Sequence, residues 1–388
     1  MTAIDLVLIA NARMPSQRAQ SLQVVQMAAA FARAGASTLL LHAARKRTPA
    51  LPEGVTLFDH YGIPPGPRPS IEAVACVDWI DRVPRLFQYV PARLQEQSFS
   101  RNAALRTQRE TGARVLSREI EAAVRSIRAG HPAVFLEIHR VPHGRLRRKW
   151  LLEAAAKAHG LIAISGGVRD DLIELGVDAA RVLVEHDGFE ASRFEHRAAR
   201  DVARATLALP KDVPLAVYTG GLLEWKGVDL VVEAARSLAD VYFVIAGGMD
   251  ADVKRLRQKA GGLANVRIDG FQPPERVPLY LAAGDVGLVP NRSKPAISAR
   301  YTSPLKVFEA MAVGLPLVAS DVPSLRELLT HEDDALLVAP DDSAALAAGV
   351  RRLMSDAVLR ARLGQKLGLR ARHFTWDARA RRILDWMS

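Results

Sequence analysis

Short apolar runs alternate with amphipathic stretches along most of the chain, and Gly, Pro and small polar residues gather between them. The first run, Ile4 to Ala10, leads through a polar loop at residues 11–20 into apolar positions at helical spacing from Leu22 to Arg33, closed by Gly35. A second run, Ser37 to Leu41, follows directly. Strand, helix, strand is a βαβ unit, in which a crossover helix buries two parallel strands. Residues 49–69 are rich in Pro and Gly and are expected to be loop. Residues 71–128 are expected to be mostly helical, broken at Pro84 and Pro91, with strands to follow at Val134–His139 and Leu161–Ser165. From there the alternation sharpens. Strands are expected at 214–219, 241–246, 266–268, 286–290 and 316–319, with helices at 228–238, 253–260, 278–283 and 304–313 between them. That pattern predicts a doubly wound α/β domain. Amphipathic helices at 343–354 and 376–387 close the chain.

At 388 residues, 49% hydrophobic and 24% charged, the chain exceeds what one core usually organises, so two domains are expected. No apolar run reaches the roughly 20 residues of a membrane span. The first ten residues lack the basic flank of a signal peptide, so the chain is expected to begin near Met1. The single cysteine, Cys76, has no partner for an internal disulfide and no metal-ligand spacing, which makes cytoplasm the expected compartment. Charge is uneven: residues 1–186 hold 25 Lys and Arg against 17 Asp and Glu, and the remainder 28 against 25. The basic excess is densest at His143–Trp150, after an expected Arg-rich helix from Arg101 to Arg128. Such a surface suits anionic lipid headgroups or a phosphorylated acceptor, with peripheral attachment to the inner face of a membrane, and no nucleic-acid partner is expected. A solvated helix face explains the same charges equally well.

Candidate chemistry concentrates in two segments of the second half. In Tyr301-Thr302-Ser303-Pro304-Leu305-Lys306-Val307-Phe308-Glu309, Ser303 is a good N-cap and Pro304 the preferred first helical residue. A helix starting there aims unpaired amides out of the loop and attracts phosphate, and Lys306 adds positive charge. Glu309 lies near the core, where a carboxylate needs donors such as ribose hydroxyls. In Tyr218-Thr219-Gly220-Gly221-Leu222-Leu223-Glu224-Trp225-Lys226-Gly227, glycines flank Lys226 and let backbone come close to a phosphate. Each segment alone would pass for an ordinary helix start or loop lysine.

Together these two segments resemble glycosyltransferase family 4, the retaining GT-B enzymes. Val184–Phe194 and Gly284–Pro290 are similar to further family segments, and the matches run through most of residues 161–330 in family order. The resemblance implies two Rossmann-like, doubly wound α/β domains facing a central cleft. It also implies transfer of a sugar, with retention, from a nucleotide-sugar donor to a glycan, lipid-linked or small-molecule acceptor. Lys226 then matches the position that holds the donor pyrophosphate, and Glu309 the second acid of a paired-glutamate motif, which binds the nucleotide ribose. Gly220, Gly221, Thr302, Ser303, Pro304, Leu305 and Lys306 complete the expected donor site. On the acceptor side the resemblance points to His139, at the end of a strand near the reacting sugar, with Glu137 beside it, and to Arg13 and Ser16 in the loop after the first strand.

Two departures narrow the resemblance. The family commonly has Arg where this chain has Gly221. The first motif acid, eight residues before Glu309, is replaced by Tyr301, and no Asp or Glu occurs from 291 to 308. An atypical Ser-Pro-x-Lys branch accounts for this, and a nucleotide-sugar epimerase or an inactive scaffold of the same fold are the alternatives. Asp250-Ala251-Asp252 has the look of a metal-binding pair but opens a helix, where acids are expected. No metal or other cofactor is expected. The domains are expected at 1–183 and 184–372, with 373–388 as a helix returning to the first.

Overall fold

The structure is a computed structural model that describes residues 3–16 and 18–388. Met1, and with it the expected start of the chain, and Gln17 of the expected loop at 11–20 lie outside the described residues. The chain forms two compact units: the residues up to His186 joined by Trp376–Ser388, and Asp187–Thr375.

Each unit is built on one sheet whose strands are all parallel. In the first unit the strands are β1 (Leu6–Ala10), β2 (Thr38–Ala44), β3 (Ser70–Ala75), β4 (Arg114–Ser117), β5 (Val134–Ile138), β6 (Gly160–Ala163) and β7 (Val182–Val184). They lie in the order β3-β2-β1-β4-β5-β6-β7. In the second unit β8 (Leu215–Thr219), β9 (Tyr242–Ala246), β10 (Val266–Gly270), β11 (Val286–Val289), β12 (Leu317–Ser320) and β13 (Ala335–Val338) lie in the order β10-β9-β8-β11-β12-β13. Helices cover both faces, so the central strands are mainly apolar, and β1 and β8 are buried throughout. Alternate residues of β8 serve opposite faces, Leu215 and Val217 in one core cluster with Phe308 and Met311, Ala216 and Tyr218 in the other with Val231 and Phe243. Strand order reverses between β1 and β4 and between β8 and β11, which marks the carboxyl ends of those strands as the places where such sheets receive ligands.

Three expectations need correction. The stretch 71–128 is helical in large part, but it also contains β3 and β4, and Pro91 stands inside the helix Tyr89–Thr107 rather than breaking it. Strand β3 is an edge strand with only Val74 buried, and β4 is four residues long, so neither gives the apolar run that betrays a central strand. The expected Arg-rich helix from Arg101 to Arg128 is therefore two helices, Tyr89–Thr107 and Ile120–Arg128, parted by β4. Near the end of the chain the helix Ala357–Arg370 stands between the two expected ones. The last helix, Trp376–Met387, belongs to the first unit.

Candidate functional site

In the second unit, β8 runs straight into Gly220, whose φ of 126° is open to glycine. The hydroxyl of Tyr218 donates to the carbonyl of Gly221 at 2.7 Å and fixes the turn. A side chain on Gly247, after β9, would place its Cβ 2.2 Å from the Gly220 oxygen, so the two loops meet backbone to backbone. Glu224–Lys226 form one 3₁₀ turn, and Gly227, at φ 65°, launches the helix Val228–Arg236. A Cβ on Gly227 would lie 1.9 Å from the carbonyl oxygen of Pro290, just past β11. Glycine therefore brings the β8 and β11 loops into contact at the point of strand reversal.

The helix Leu305–Val313 starts over this floor. It begins one residue later than expected: Pro304 occupies the cap position, and Ser303 does not cap. The Ser303 hydroxyl instead accepts the backbone amide of Asp187 at 2.7 Å, a partner 116 residues away. The first-turn amides of this helix have no acceptor within it, as at any helix start. Thr302, Pro304 and Leu305 are half-buried beside it.

Lys306, in that first turn, is only 8% exposed. Its Nζ lies 3.7 Å from the centre of the Tyr218 ring, close above Gly220, and has no hydrogen-bond partner among the described residues. Cation–π attraction of about 1–2 kcal/mol offsets only part of the cost of a desolvated ammonium with nothing to donate to. Lys226 stands nearby, its Nζ 5.3 Å from the Trp225 ring and 3.6 Å from where a Cβ on Gly221 would be. Burial, then repulsion from Lys226, hold Lys306 well below the usual lysine range, and Glu309 offsets them only in part. Burial lowers Lys226 as well, against the pull of Glu309. Glu309 is raised by burial against the opposing charges of Arg193, Lys306 and Lys226. One carboxyl thus faces three cationic side chains in a poorly solvated place. The surplus positive charge, glycine backbone and helix start make a receptor for a polyanion such as a pyrophosphate.

Tyr301, where the resemblance places an acid, is buried, and its amide donates to the carbonyl of Ala296 at 3.1 Å. Arg193 is the cation that sequence reasoning missed. It comes from the short helix Ser192–Glu195, and nothing in the sequence ties it to Glu309, 116 positions on. Asp252 of the Asp-x-Asp pair is in an ion pair with Arg255 at 3.1 Å, one turn along its own helix.

The remaining expected residues belong to the first unit. Glu137 and His139 share a face at the end of β5, and the His139 Nε2 is 2.6 Å from a Glu137 oxygen. Two arginines absent from the sequence-based set complete the cluster: Arg118 contacts both residues, and Arg379 of the last helix reaches the other Glu137 oxygen at 3.2 Å. Burial works against the Glu137 charge, but Arg379, Arg118 and His139 hold it well below the usual carboxylate range. Arg13 is in an ion pair with Asp81 at 2.6 Å and donates to the Arg47 carbonyl, so its charge has a partner. The Ser16 amide donates to the Tyr61 hydroxyl, and the Ser16 hydroxyl accepts from the Arg18 amide. Glu119, not singled out from the sequence, accepts the Asn11 amide at 2.9 Å where the strand order reverses, and burial pushes it up to about 7.

Residues 199–367 match the family model described as glycosyl transferases group 1. Over 257 residues the chain is 29% identical to the D-inositol 3-phosphate glycosyltransferase of Xylanimonas cellulosilytica, a match that covers 63% of this chain and 60% of that one. It is 31% identical over 169 residues to the lipopolysaccharide core biosynthesis glycosyltransferase LpsD of Rhizobium meliloti, covering 43% of this chain and 47% of that one. These matches span about half to three-fifths of the relatives' own length. Among solved structures, HepE of Anabaena in complex with UDP superposes with a TM-score of 0.75 at 19% identity, covering 99% of both chains. That likeness shows the fold: two Rossmann-like α/β units of the GT-B type.

Proposed function

We propose that this protein is a glycosyltransferase that takes a sugar from a nucleoside-diphosphate sugar and transfers it, with retention, to a glycan, lipid-linked or small-molecule acceptor. One observation carries the reading: a buried, unpartnered Lys306 ammonium beside Lys226, at a helix start over a glycine floor, where the central strand of the second unit ends. Such a group is costly until an anion arrives. The relatives named above are glycosyltransferases, and the HepE structure holds UDP in a chain of the same fold. These support a nucleotide-linked donor.

On this reading Lys226, Lys306 and the amides of Leu305 and Lys306 stabilise the negative charge that grows on the departing pyrophosphate, where preorganised donors contribute most. Glu309 takes the ribose hydroxyls, which supply the donors that a half-buried carboxyl needs. The cationic side chains provide the charge that a metal ion would otherwise bring, so a chelator is expected to leave the rate unchanged. His139, oriented by Glu137, contacts the acceptor or the donor sugar. The buried Tyr301 fits a branch in which this set replaces the missing acid.

The test is incubation with a panel of nucleotide sugars, scored for release of nucleoside diphosphate and for acceptor modification. Expected are release that depends on acceptor and a loss of at least roughly 100-fold in rate in Lys226→Ala, as for removal of one preorganised donor. Conversion of the donor without acceptor would mean an epimerase. No binding of any donor, with Lys226→Ala indistinguishable from the parent protein, would leave an inactive scaffold.

A further inference from the structure

Six large apolar side chains close together in sequence lie in solvent in the first unit: Trp79, Leu86, Phe87, Tyr89, Val90 and Leu94, with Leu86 86% and Tyr89 76% exposed. Trp79 precedes the 3₁₀ turn Ile80–Arg82, Leu86 and Phe87 lie in a second one, Arg85–Phe87, and the others lie in the first turns of the helix Tyr89–Thr107. The base of this segment is fastened to its own unit. Asp78 pairs with Arg45 at 2.9 Å and accepts the Lys46 amide, Asp81 pairs with Arg13, and the Asp81 carbonyl accepts from Arg47 at 2.8 Å. Among the described residues, no ion pair or hydrogen bond to a distant element fastens residues 86–90. Apolar side chains massed in solvent are costly unless something covers them.

The surroundings indicate what covers it. The helix Arg145–Lys157 lies alongside, joined through Arg147, which pairs with Glu121 at 3.0 Å and with Glu96. This helix adds Leu146, 57% exposed, flanked by the exposed cations Arg145 and Lys149. Arg82 is exposed on the segment itself. The neighbouring acids Asp81, Glu96, Glu121 and Glu153 are already in ion pairs with arginines, which leaves Arg82, Arg145 and Lys149 as surplus positive charge even though Glu153 also attracts Lys149. Trp and Tyr beside aliphatic residues, ringed by Arg and Lys, form the composition that settles at the headgroup level of a bilayer.

We propose that residues 79–94, with Arg145, Leu146 and Lys149, dock the protein on an anionic lipid bilayer, the apolar tip entering the headgroup boundary and the cations meeting lipid phosphates. Docking needs neither donor nor acceptor and stands apart from the transferase reading. If that reading also holds, the acceptor is a lipid-linked sugar presented at the same surface.

The test is co-sedimentation of the full chain with vesicles of phosphatidylcholine alone or with a third phosphatidylglycerol. Binding is expected to the anionic vesicles and to weaken several-fold in high salt. The triple variant Leu86→Ser, Phe87→Ser, Tyr89→Ser and the double variant Arg145→Glu, Lys149→Glu are each expected to lose roughly ten-fold or more in partitioning. Both should keep the parent unfolding midpoint, because the replaced side chains are in solvent, and both should still bind UDP-glucose. Parent-like partitioning by the triple variant, or no binding of the parent to either vesicle, would overturn the proposal. So would a parent dimer that the triple variant turns into a monomer, since a second copy would then cover the tip.

Discussion

Lys306 is a residue whose cost to the fold and value to a ligand have opposite signs. A buried ammonium over the Tyr218 ring with no acceptor destabilises the empty protein, and methionine has a similar length and no charge. Lys306→Met is therefore expected to raise the unfolding midpoint by roughly 2–4 °C, as about 1 kcal/mol would in a domain of this size. The same change should weaken UDP-glucose binding roughly 10- to 100-fold, the worth of one charge-assisted contact. Calorimetry on the parent protein and the variant checks both effects, and a loss of stability would show that the lysine has a hidden partner.

The lowered pKa also sets a sign for pH. In the empty protein Lys306 loses its proton well below the usual lysine value, while Tyr218, Lys226 and Glu309 face it. A bound pyrophosphate favours the protonated form and raises that pKa again. Between the two values binding takes up a proton, so affinity should fall as pH rises through this window. The phosphates of UDP-glucose stay ionised throughout, and titration in two buffers of different ionisation enthalpy counts the protons taken up. Zero uptake in the parent protein would mean that Lys306 is charged before the donor arrives.

Elements meet at the donor cradle through glycine. Gly227→Ala would impose a left-handed conformation on a side chain, at about 1–2 kcal/mol, and would add a collision with the Pro290 oxygen that can be relieved only by moving the β11 loop. A fall of several degrees in the unfolding midpoint is expected, together with weaker donor binding, because Lys226 immediately precedes the displaced residue. Thermal unfolding with and without UDP-glucose checks both. Most elements of the second unit were legible from the sequence because each of its central strands is covered on both faces and so reads as an unbroken apolar run, whereas its edge strand β13 and the helix Arg200–Thr206 were not. In the first unit the edge strand β3 and the four-residue β4 were not, since a strand covered on one side or too short for a period resembles loop or helix. The candidate donor site shared the advantage of the second unit. Its glycines, lysines and acid lie in two short segments, each at the end of an element that the apolar pattern reveals.

For the molecule as a whole, the last helix decides how the first unit is completed. Arg379, 1% exposed, donates to the Glu137 carboxylate and to the carbonyls of Glu185 and His186, and Arg382 pairs with Glu185 at 2.7 Å. Gly160 has no side chain, and a Cβ there would collide with the Trp386 ring. Truncation after Thr375 would strand Glu137 with a poorer set of partners in a buried place, a loss of about 3–5 kcal/mol. The first unit should then unfold at a markedly lower temperature, the second should keep its own transition, and differential scanning calorimetry would resolve the two.

The sequence by itself determined most of the alternation of strand and helix, and it singled out the segments of the candidate donor cradle, because periodicity, glycine and charge act between near neighbours. Only the tertiary structure decided how distant residues share their bonds. Ser303 gives up its cap to accept an amide 116 positions away, Arg193 finds Glu309, and Glu137 keeps its charge through an arginine 242 positions on. A polar side chain takes the best partner that folding brings to it, and that partner has no fixed spacing along the chain.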